Sequence, residues 1–200
     1  MQLPQVFLKL SKLFLDNGYN LYMVGGTSRD YLLNKEILDF DFATDATQDE
    51  MKSFLNVNTS FSSLGSMSIK FDGVKVDITT LRKEDGYDDS RHPSKVEFVK
   101  NTSIDYLRRD FTVNAIYIDS NGNVIDHSSG IIDLKNKVIR MIGNPDTRFK
   151  EDPLRILRAI RFSFSLGFKL DKQIIDSIEN NKGLLKKLSF IKCAEEIEKM

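Results

Sequence analysis

Two aspartates one residue apart, Asp39 and Asp41, are the clearest candidates for chemistry in this sequence. In the segment Asp39-Phe40-Asp41-Phe42, the period of two of a β-strand puts both carboxylates on one face and both phenylalanines on the other. Carboxylates this close repel each other unless hydrogen bonds or a cation lie between them. Mg²⁺ is commonly held by one or two carboxylates together with substrate phosphates. The pair therefore predicts a magnesium site, and the alternative is a surface strand whose acids are merely solvated.

Two glycines upstream of this pair predict a phosphate-binding turn. A short apolar strand from Leu21 leads to Gly25-Gly26, and a helix through Arg29 and Asp30 follows. Glycines at a strand end let the backbone approach a ligand, and the start of a helix offers unpaired N–H groups and the positive end of the helix dipole. Because this turn lies just upstream of the aspartate pair, the metal-site interpretation is favoured over the solvated one.

A third acid, Asp77, lies on a predicted hairpin, SIKFDGVKVDITTL, with Asp72-Gly73 at the turn. Val76 alternates with Asp77 and is expected to point into the core, so Asp77 points the other way. If the hairpin lies beside the strand that carries the aspartate pair, Asp77 adds a third carboxylate to the same site. An exposed acid paired with Lys75 or Arg82 is an equally good interpretation.

The segment Arg108-Arg109-Asp110 lies in the middle of a predicted helix over 102–116, TSIDYLRRDFTVNAI. Two adjacent arginines beside an acid are usually a solvated surface with local ion pairs. As a binding set, they would instead offer guanidinium forks to phosphate and a carboxylate to a ribose hydroxyl. The spacing of the three residues does not decide between these interpretations.

Another arginine group lies on a predicted helix that begins with Asp152 at the N-cap and Pro153 at the first helical position. The helical period predicts a core stripe of four apolar residues, Ile156, Leu157, Ile160 and Phe164. Arg155, Arg158 and Arg161 run along the opposite side, where two apolar residues interrupt them. That side is therefore expected to look into a cleft rather than to be cleanly solvated.

The composition is that of a globular protein, and its balanced charge, 29 basic and 29 acidic residues, indicates no particular partner. The single cysteine, Cys193, excludes an internal disulfide and a multi-cysteine zinc site, and it fits a reducing compartment. No apolar run is long enough to span a bilayer, and the N-terminus lacks the features of a signal peptide. These observations predict a cytoplasmic protein without a membrane partner, and they indicate no oligomeric state.

With these residues assembled, the chain resembles the class II tRNA nucleotidyltransferases, which are the CCA-adding enzymes, and their relatives the bacterial poly(A) polymerases. The matching motifs occur in the family's order over about residues 21–168. They are VGGTSRDYLL, LDFDFATDAT, VDITTLR, DDSRHPSKVEF, DYLRRDFTVNAI, DHSSGIIDL and RFKEDPLRILRAIRF.

The resemblance implies an α+β fold. Residues 1–142 would form a DNA-polymerase-beta-like nucleotidyltransferase head, in which helices flank a small mixed or antiparallel sheet. Residues 143–200 would form an all-helical neck that contains a base-reading helix. Family members carry further helical body and tail domains that grip the tRNA, so the chain is expected to be cut from a longer helical protein.

The resemblance also implies roles for individual residues. Asp39 and Asp41 would be catalytic Mg²⁺ ligands, and Asp77 would be the third catalytic carboxylate. The nucleotide-binding set would comprise Gly25, Gly26, Arg29 and Asp30 at the triphosphate, Arg109, Asp110 and Asn114 at the ribose and phosphates, and Asp152, Arg155 and Arg158 at the base.

The base-reading role has a physical logic of its own. Cytosine and adenine both offer an amino donor beside a ring-nitrogen acceptor, whereas uracil and guanine show the reverse order. A fixed carboxylate beside a fixed guanidinium therefore accepts C and A, because a mismatched base leaves buried polar groups unsatisfied. Asp152 and Arg155 are one helical turn apart on one face, although in isolation such a pair is more simply a helix cap with an ion pair.

Together these features predict a magnesium-dependent enzyme that adds CMP and AMP, from CTP and ATP, to the 3′ end of tRNA without a nucleic-acid template. An A-adding specialist, a poly(A) polymerase and a catalytically silent nucleotide- or RNA-binding fragment are the alternatives. Residues 83–95 predict a mobile surface loop. Within it, Asp89, Ser90, Arg91 and Pro93 resemble the family's lever loop and favour adenine addition.

Overall fold

A mixed β-sheet forms the centre of the fold in the computed structural model, which describes residues 2–55, 64–86 and 93–200. Its six strands lie in the order β3-β4-β2-β1-β7-β8. They are β1 (Leu21–Met23), β2 (Phe40–Thr44), β3 (Ser66–Phe71), β4 (Val74–Thr80), β7 (Ile116–Ile118) and β8 (Val124–Asp126). Strands β2 and β4 are parallel, and the other neighbours are antiparallel. The expected α+β head, a small mixed sheet flanked by helices, is confirmed.

Two short ribbons lie outside this sheet. One pairs β5 (Arg82–Asp85) with β6 (Lys95–Phe98), and the other pairs β9 (Val138–Ile139) with β10 (Lys169–Leu170). The first ribbon flanks the predicted lever loop, of which Asp89, Ser90 and Arg91 lie outside the described residues. In the segment KVIRMI, only Val138–Ile139 forms a strand, β9, and it does not join the central sheet.

The helices flank the sheet and continue beyond it. They are α1 (Gln5–Asp16), α2 (Gly25–Leu32), α3 (Gln48–Phe54), α4 (Thr102–Asp105), α5 (Gly130–Asn136), α6 (Pro145–Glu151), α7 (Leu154–Leu166), α8 (Lys172–Asn181) and α9 (Phe190–Glu198). Thr47 and Glu50 form the capping box that starts α3. In the described part of the chain, no helix combines the length and apolar composition needed to cross a bilayer.

The hairpin predicted for β3 and β4 is confirmed, and its position matters for the site. Asp72 and Gly73 both have positive φ, 50° and 83°, as a tight two-residue turn requires. Val76 and Ile78 are fully buried. Because β4 pairs with β2, the hairpin brings Asp77 beside the acidic strand.

The continuous helix predicted over 102–116 is wrong. The chain forms α4, a 3₁₀ turn at Tyr106–Arg108 and a second 3₁₀ turn at Thr112–Asn114. Between the turns, Arg109 has an extended backbone, with ψ at 161°. The N–H of Thr112 donates to the carbonyl of Arg140, and the N–H of Ile142 donates to the carbonyl of Asp110. This short antiparallel contact takes the hydrogen-bonding groups that a helix would use.

The core stripe predicted for α7 is confirmed at Ile156 and wrong at Ile160 and Phe164. Ile160 and Phe164 are 38% and 73% exposed. The buried residues of the helix are Arg155, Ile156, Ala159 and Phe162. Relative to the predicted orientation, the helix is rotated about its axis. In the observed orientation its arginines contact acidic and carbonyl groups, while the two apolar side chains stay exposed.

Two large apolar clusters hold the fold together. The first lies between α1, α3 and the sheet, around Phe7, Phe14 and Phe42. The second includes Phe111, Ile139, Phe149, Ile156 and Ile174, so it contains residues from both sides of the predicted boundary at Ile142. The division into a head over 1–142 and a neck over 143–200 stays a prediction.

Candidate functional site

One cavity of about 620 Å³ lies between the sheet, the 3₁₀ turns and α7. Every residue that the sequence analysis assigned to the site lines it. They are Gly25, Gly26, Arg29, Asp30, Asp39, Asp41, Asp77, Arg109, Asp110, Asn114, Asp152, Arg155 and Arg158. Residues that are far apart in the sequence therefore meet in one concave surface, which has acids on the strand side and arginines on the helix side.

The parallel pairing of β2 and β4 creates the acidic side of the cavity. Asp41 and Asp77 are direct partners in that register. Asp39 lies just before β2, and the hydroxyl of Thr27 fixes this corner, because it donates to the Asp39 carbonyl at 3.0 Å and accepts the Asp41 N–H at 2.6 Å. Lys75 also lies 3.3 Å from Asp77, so the exposed ion pair forms as well.

The environment of Asp41 disfavours its charged form. Burial raises the pKa of Asp41, and the charges of Asp77 and Asp39 raise it further, while Arg109 and the N–H of Gly26 lower it. Among the described residues, no three His, Cys, Asp or Glu side chains form a ready-made metal cluster. A divalent cation here would take its remaining oxygen ligands from water or phosphate, as Mg²⁺ does.

The glycine turn contacts the acidic side directly. Gly25 has φ +67°, and a Cβ there would lie 3.3 Å from Oδ2 of Asp41. The N–H of Gly26, in the first turn of α2, donates to the same carboxylate. The start of the helix therefore faces the cavity, and its role as an anion site stays a prediction.

Arg29 is nearly buried and held by three hydrogen bonds. Its Nε and Nη2 atoms each donate at 2.9 Å to the two carboxylate oxygens of Asp30, and Nη1 donates at 2.8 Å to Asn114. The bidentate pair with Asp30 lies within α2, and the hydrogen bond to Asn114 joins α2 to the second 3₁₀ turn, so the guanidinium has a defined orientation at the cavity wall.

Arg109 and Asp110 point in different directions because the backbone is extended between the two turns. Arg109 donates from Nε to Asp105 at 2.9 Å. Asp110 accepts two hydrogen bonds from Arg158, at 2.8 and 2.6 Å. Burial raises the pKa of Asp110, but the charge and hydrogen bonds of Arg158 outweigh it and hold the pKa below its usual value.

Three guanidinium groups surround the ring of Phe162, which lines the cavity. Arg161 lies 4.2 Å from the ring centroid, and Arg158 and Arg29 lie 5.3 and 5.4 Å from it. Nε of Arg161 is 2.8 Å from Glu196 of α9. The sequence analysis missed Glu196, because nothing in the sequence links two residues so far apart along the chain.

Asp152 and Arg155 lie at the start of α7. Asp152 accepts the N–H of Leu154 at 3.0 Å. Arg155 donates to the carbonyl of Arg148 and to Glu151, both at 2.9 Å. The ion pair between Glu151 and Arg155 was not predicted, although the two residues are four apart, which is the spacing of a helical ion pair. A guanidinium fixed in this way beside a carboxylate can present a defined hydrogen-bonding edge.

Comparison with known proteins gives a consistent result. The poly A polymerase head domain matches residues 21–140. The CCA-adding enzyme of Lactobacillus helveticus is 40% identical over 204 residues, which cover 100% of this chain and 51% of that protein. The CCA-adding enzyme of Lactobacillus johnsonii is 42% identical over 203 residues, which cover 99% of this chain and 51% of that protein. The chain thus spans about half the length of these relatives.

Solved structures agree with this match. The CCA-adding enzyme of Bacillus stearothermophilus in complex with CTP superimposes with a TM-score of 0.89 and 34% identity, covering 100% of this chain and 49% of that one. A tRNA nucleotidyltransferase complexed with a primer tRNA and an incoming ATP analog gives 0.77 and 34%, covering 94% of this chain and 55% of that one.

Proposed function

The chain belongs to the family of the poly A polymerase head domain, and on that premise we propose that it is the catalytic part of a tRNA nucleotidyltransferase. The enzyme would add CMP and AMP, from CTP and ATP, to the 3′ end of tRNA. The observation that carries this proposal is the convergence of all the predicted site residues on one cavity. The single cysteine, Cys193, fits the cytoplasm as its compartment.

Asp39 and Asp41 would hold Mg²⁺. Burial first, and then the charges of Asp77 and Asp39, raise the pKa of Asp41, and this crowding of acids supports a cation site there. When bound, Mg²⁺ would neutralise triphosphate charge and make the attacking 3′-hydroxyl easier to deprotonate. Asp77, in register with Asp41, would add negative charge where that proton leaves.

The chain's own groups would orient the nucleotide. The backbone turn at Gly25 and Gly26 and the guanidinium of Arg29 would bind the triphosphate. Arg109, Asp110 and Asn114 would contact the ribose and phosphates. These groups are held in place before the nucleotide binds, so they lose little conformational freedom when it does.

Asp152 and Arg155 would select the base, with Arg158 beside them. The contacts of Arg155 with Arg148 and Glu151 support this role, because a base reader must keep a fixed donor direction. Cytosine and adenine would each donate a hydrogen bond from the amino group to Asp152 and accept one from Arg155 at the ring nitrogen. Uracil and guanine would leave both groups unsatisfied.

Transfer of labelled nucleotide to a tRNA that lacks its terminal CCA tests the proposal. The unaltered chain with Mg²⁺ is expected to incorporate CMP and AMP, and Asp39→Asn is expected to lower incorporation by about a thousandfold or more. Incorporation of AMP alone would favour the A-adding or poly(A) alternative. Nucleotide binding without any transfer would favour the silent binding fragment.

A further inference from the structure

Beneath the cavity, the fully buried carboxylate of Asp105 accepts hydrogen bonds from two adjacent arginines, Arg108 and Arg109. Asp105 is 0% exposed. Its Oδ1 accepts from Nε of Arg108 at 2.7 Å and from the backbone N–H of Arg82 at 2.9 Å. Its Oδ2 accepts from Nε of Arg109 at 2.9 Å and from the Tyr117 hydroxyl at 2.6 Å. Burial raises the pKa of Asp105, but the two arginine charges outweigh it and hold that pKa well below its usual range.

Arg109 is fixed by this arrangement. Its Nε also donates to the Tyr117 hydroxyl at 2.8 Å, and its Nη2 lies 2.9 Å from Asp105. The guanidinium lies 5.0 Å from the centroid of the Tyr117 ring. The same guanidinium lines the cavity and is close enough to Asp41 to lower the pKa of that acid. Asp105 itself is not among the lining residues.

We propose that Asp105 is a positioning residue for nucleotide binding, which acts by holding the Arg109 guanidinium against the cavity. A free arginine side chain loses rotamer freedom when it binds a ligand, whereas Arg109 is already oriented. Tyr117 takes part in the same arrangement, because its hydroxyl donates to Asp105 and accepts from Arg109. The inference rests on the proposed function, since it requires a nucleotide in the cavity.

A purely structural role would give a different pattern of binding data, and the chain offers a matched control. Asp133 is 4% exposed, accepts from the Thr112 hydroxyl at 2.7 Å and pairs with Arg140 at 3.2 Å. It resembles Asp105 in burial and in partners, a hydroxyl and an arginine. Neither Asp133 nor Arg140 lines the cavity. Among the described residues, the side-chain partners of Asp133 are Thr112 and Arg140 rather than Arg109, so its loss is expected to affect folding more than the orientation of the Arg109 guanidinium.

The test is the dissociation constant for CTP, with Mg²⁺, measured by calorimetry in a double-mutant cycle. Asp105→Asn is expected to weaken binding by about three- to tenfold, and Asp133→Asn by less than about twofold. In an Arg109→Ala background, Asp105→Asn is expected to cause no further loss. If the two losses multiplied, Asp105 would act independently of Arg109 and the inference would be wrong.

Tyr117→Phe provides a second variant should Asp105→Asn not fold. It removes one hydroxyl and keeps the ring, and it is expected to weaken CTP binding by about twofold or more, only while Arg109 is present. Unchanged binding by both variants would overturn this inference and leave the proposed function standing. Failure of the unaltered chain to bind either CTP or ATP would overturn the proposed function and, with it, this inference.

Discussion

The carboxylate of Asp41 is partly buried between two other acids, and this environment disfavours its charged form. Burial is the largest cause of its raised pKa, followed by the charges of Asp77 and Asp39. Function and stability therefore conflict at this residue, as they commonly do where a site concentrates like charges. An ordinary core position would not tolerate such a cluster.

This conflict predicts the pH dependence of stability. Because the pKa of Asp41 is higher in the folded than in the unfolded chain, the folded state holds a proton that the unfolded state has lost between the two pKa values. Stability from this group therefore falls as pH rises through that window. Asp41→Asn is expected to raise Tm at pH 7, with a smaller gain at pH 4. A lower Tm at pH 7 would contradict this account; one kcal/mol corresponds to about 2–4 °C.

The acids and the glycine turn could be predicted from the sequence because they depend on short-range periodicity and turn chemistry. Asp39 and Asp41 share a strand face, and Gly25 precedes a helix, so local rules suffice. Asp105 and Glu196 could not be predicted as partners of arginines that line the cavity. Their contacts arise only when the 3₁₀ turns and α9 pack against the arginines of the cavity.

The turn from β1 into α2 predicts a separable effect on binding. Gly25 and Gly167 share φ +67°. A Cβ at Gly25 would lie 3.3 Å from Asp41, whereas a Cβ at Gly167 would have no neighbouring atom of the described chain within 4 Å. Alanine at either position is expected to cost about 1–2 kcal/mol of stability. Only Gly25→Ala should also weaken CTP binding, as calorimetry would measure. Equal binding by both variants would argue against a role for the turn in the site.

Arg148 of α6 joins the segment at Arg108 and Arg109 to Glu151, at the end of α6. Its Nη2 donates to the carbonyls of Arg108 and Arg109, at 2.6 and 3.0 Å, and its Nη1 donates to Glu151 at 2.6 Å. The break at Arg109 was missed because its cause is tertiary. Local propensity favoured one long helix, but contacts from residues 140–142 and from Arg148 took the backbone groups instead.

Arg148→Met should therefore destabilise the chain by about 2–4 kcal/mol, since it leaves two carbonyls and a carboxylate without this donor. Urea unfolding would measure the loss. Lys12→Met, which breaks an exposed helical ion pair with Asp16, is the control and is expected to cost less than about 0.5 kcal/mol. Similar losses for the two variants would show that Arg148 contributes no more than a surface residue.

In the whole molecule, the second apolar cluster contains residues from both sides of residue 142, so the two sides share a core. Phe111 and Ile139 pack in the same cluster as Phe149 and Ile156. Sequence motifs change character at Gly143, but a change of motif does not reveal whether two segments share a core. Hydrophobic burial links the two sides, so their unfolding should be coupled.

Residues 1–142 and 143–200 are therefore expected to unfold in one cooperative transition. Hydrogen exchange in rising urea should open the amides of Phe111 and Phe162, which lie in edge-to-face contact at 5.8 Å, at the same midpoint. Two separate midpoints would instead indicate independently stable units on either side of residue 142.

Thermal stabilisation by each of CTP, ATP, UTP and GTP with Mg²⁺ tests the central claim most directly. CTP and ATP at about a hundred times their dissociation constants should each add about 2.7 kcal/mol, and UTP and GTP at the same concentrations should add much less. Asp152→Ala should remove that selectivity, and Asp39→Ala should remove the dependence on Mg²⁺. Equal stabilisation by all four nucleotides, or none by any, would contradict a base-selecting nucleotidyltransferase site in this cavity.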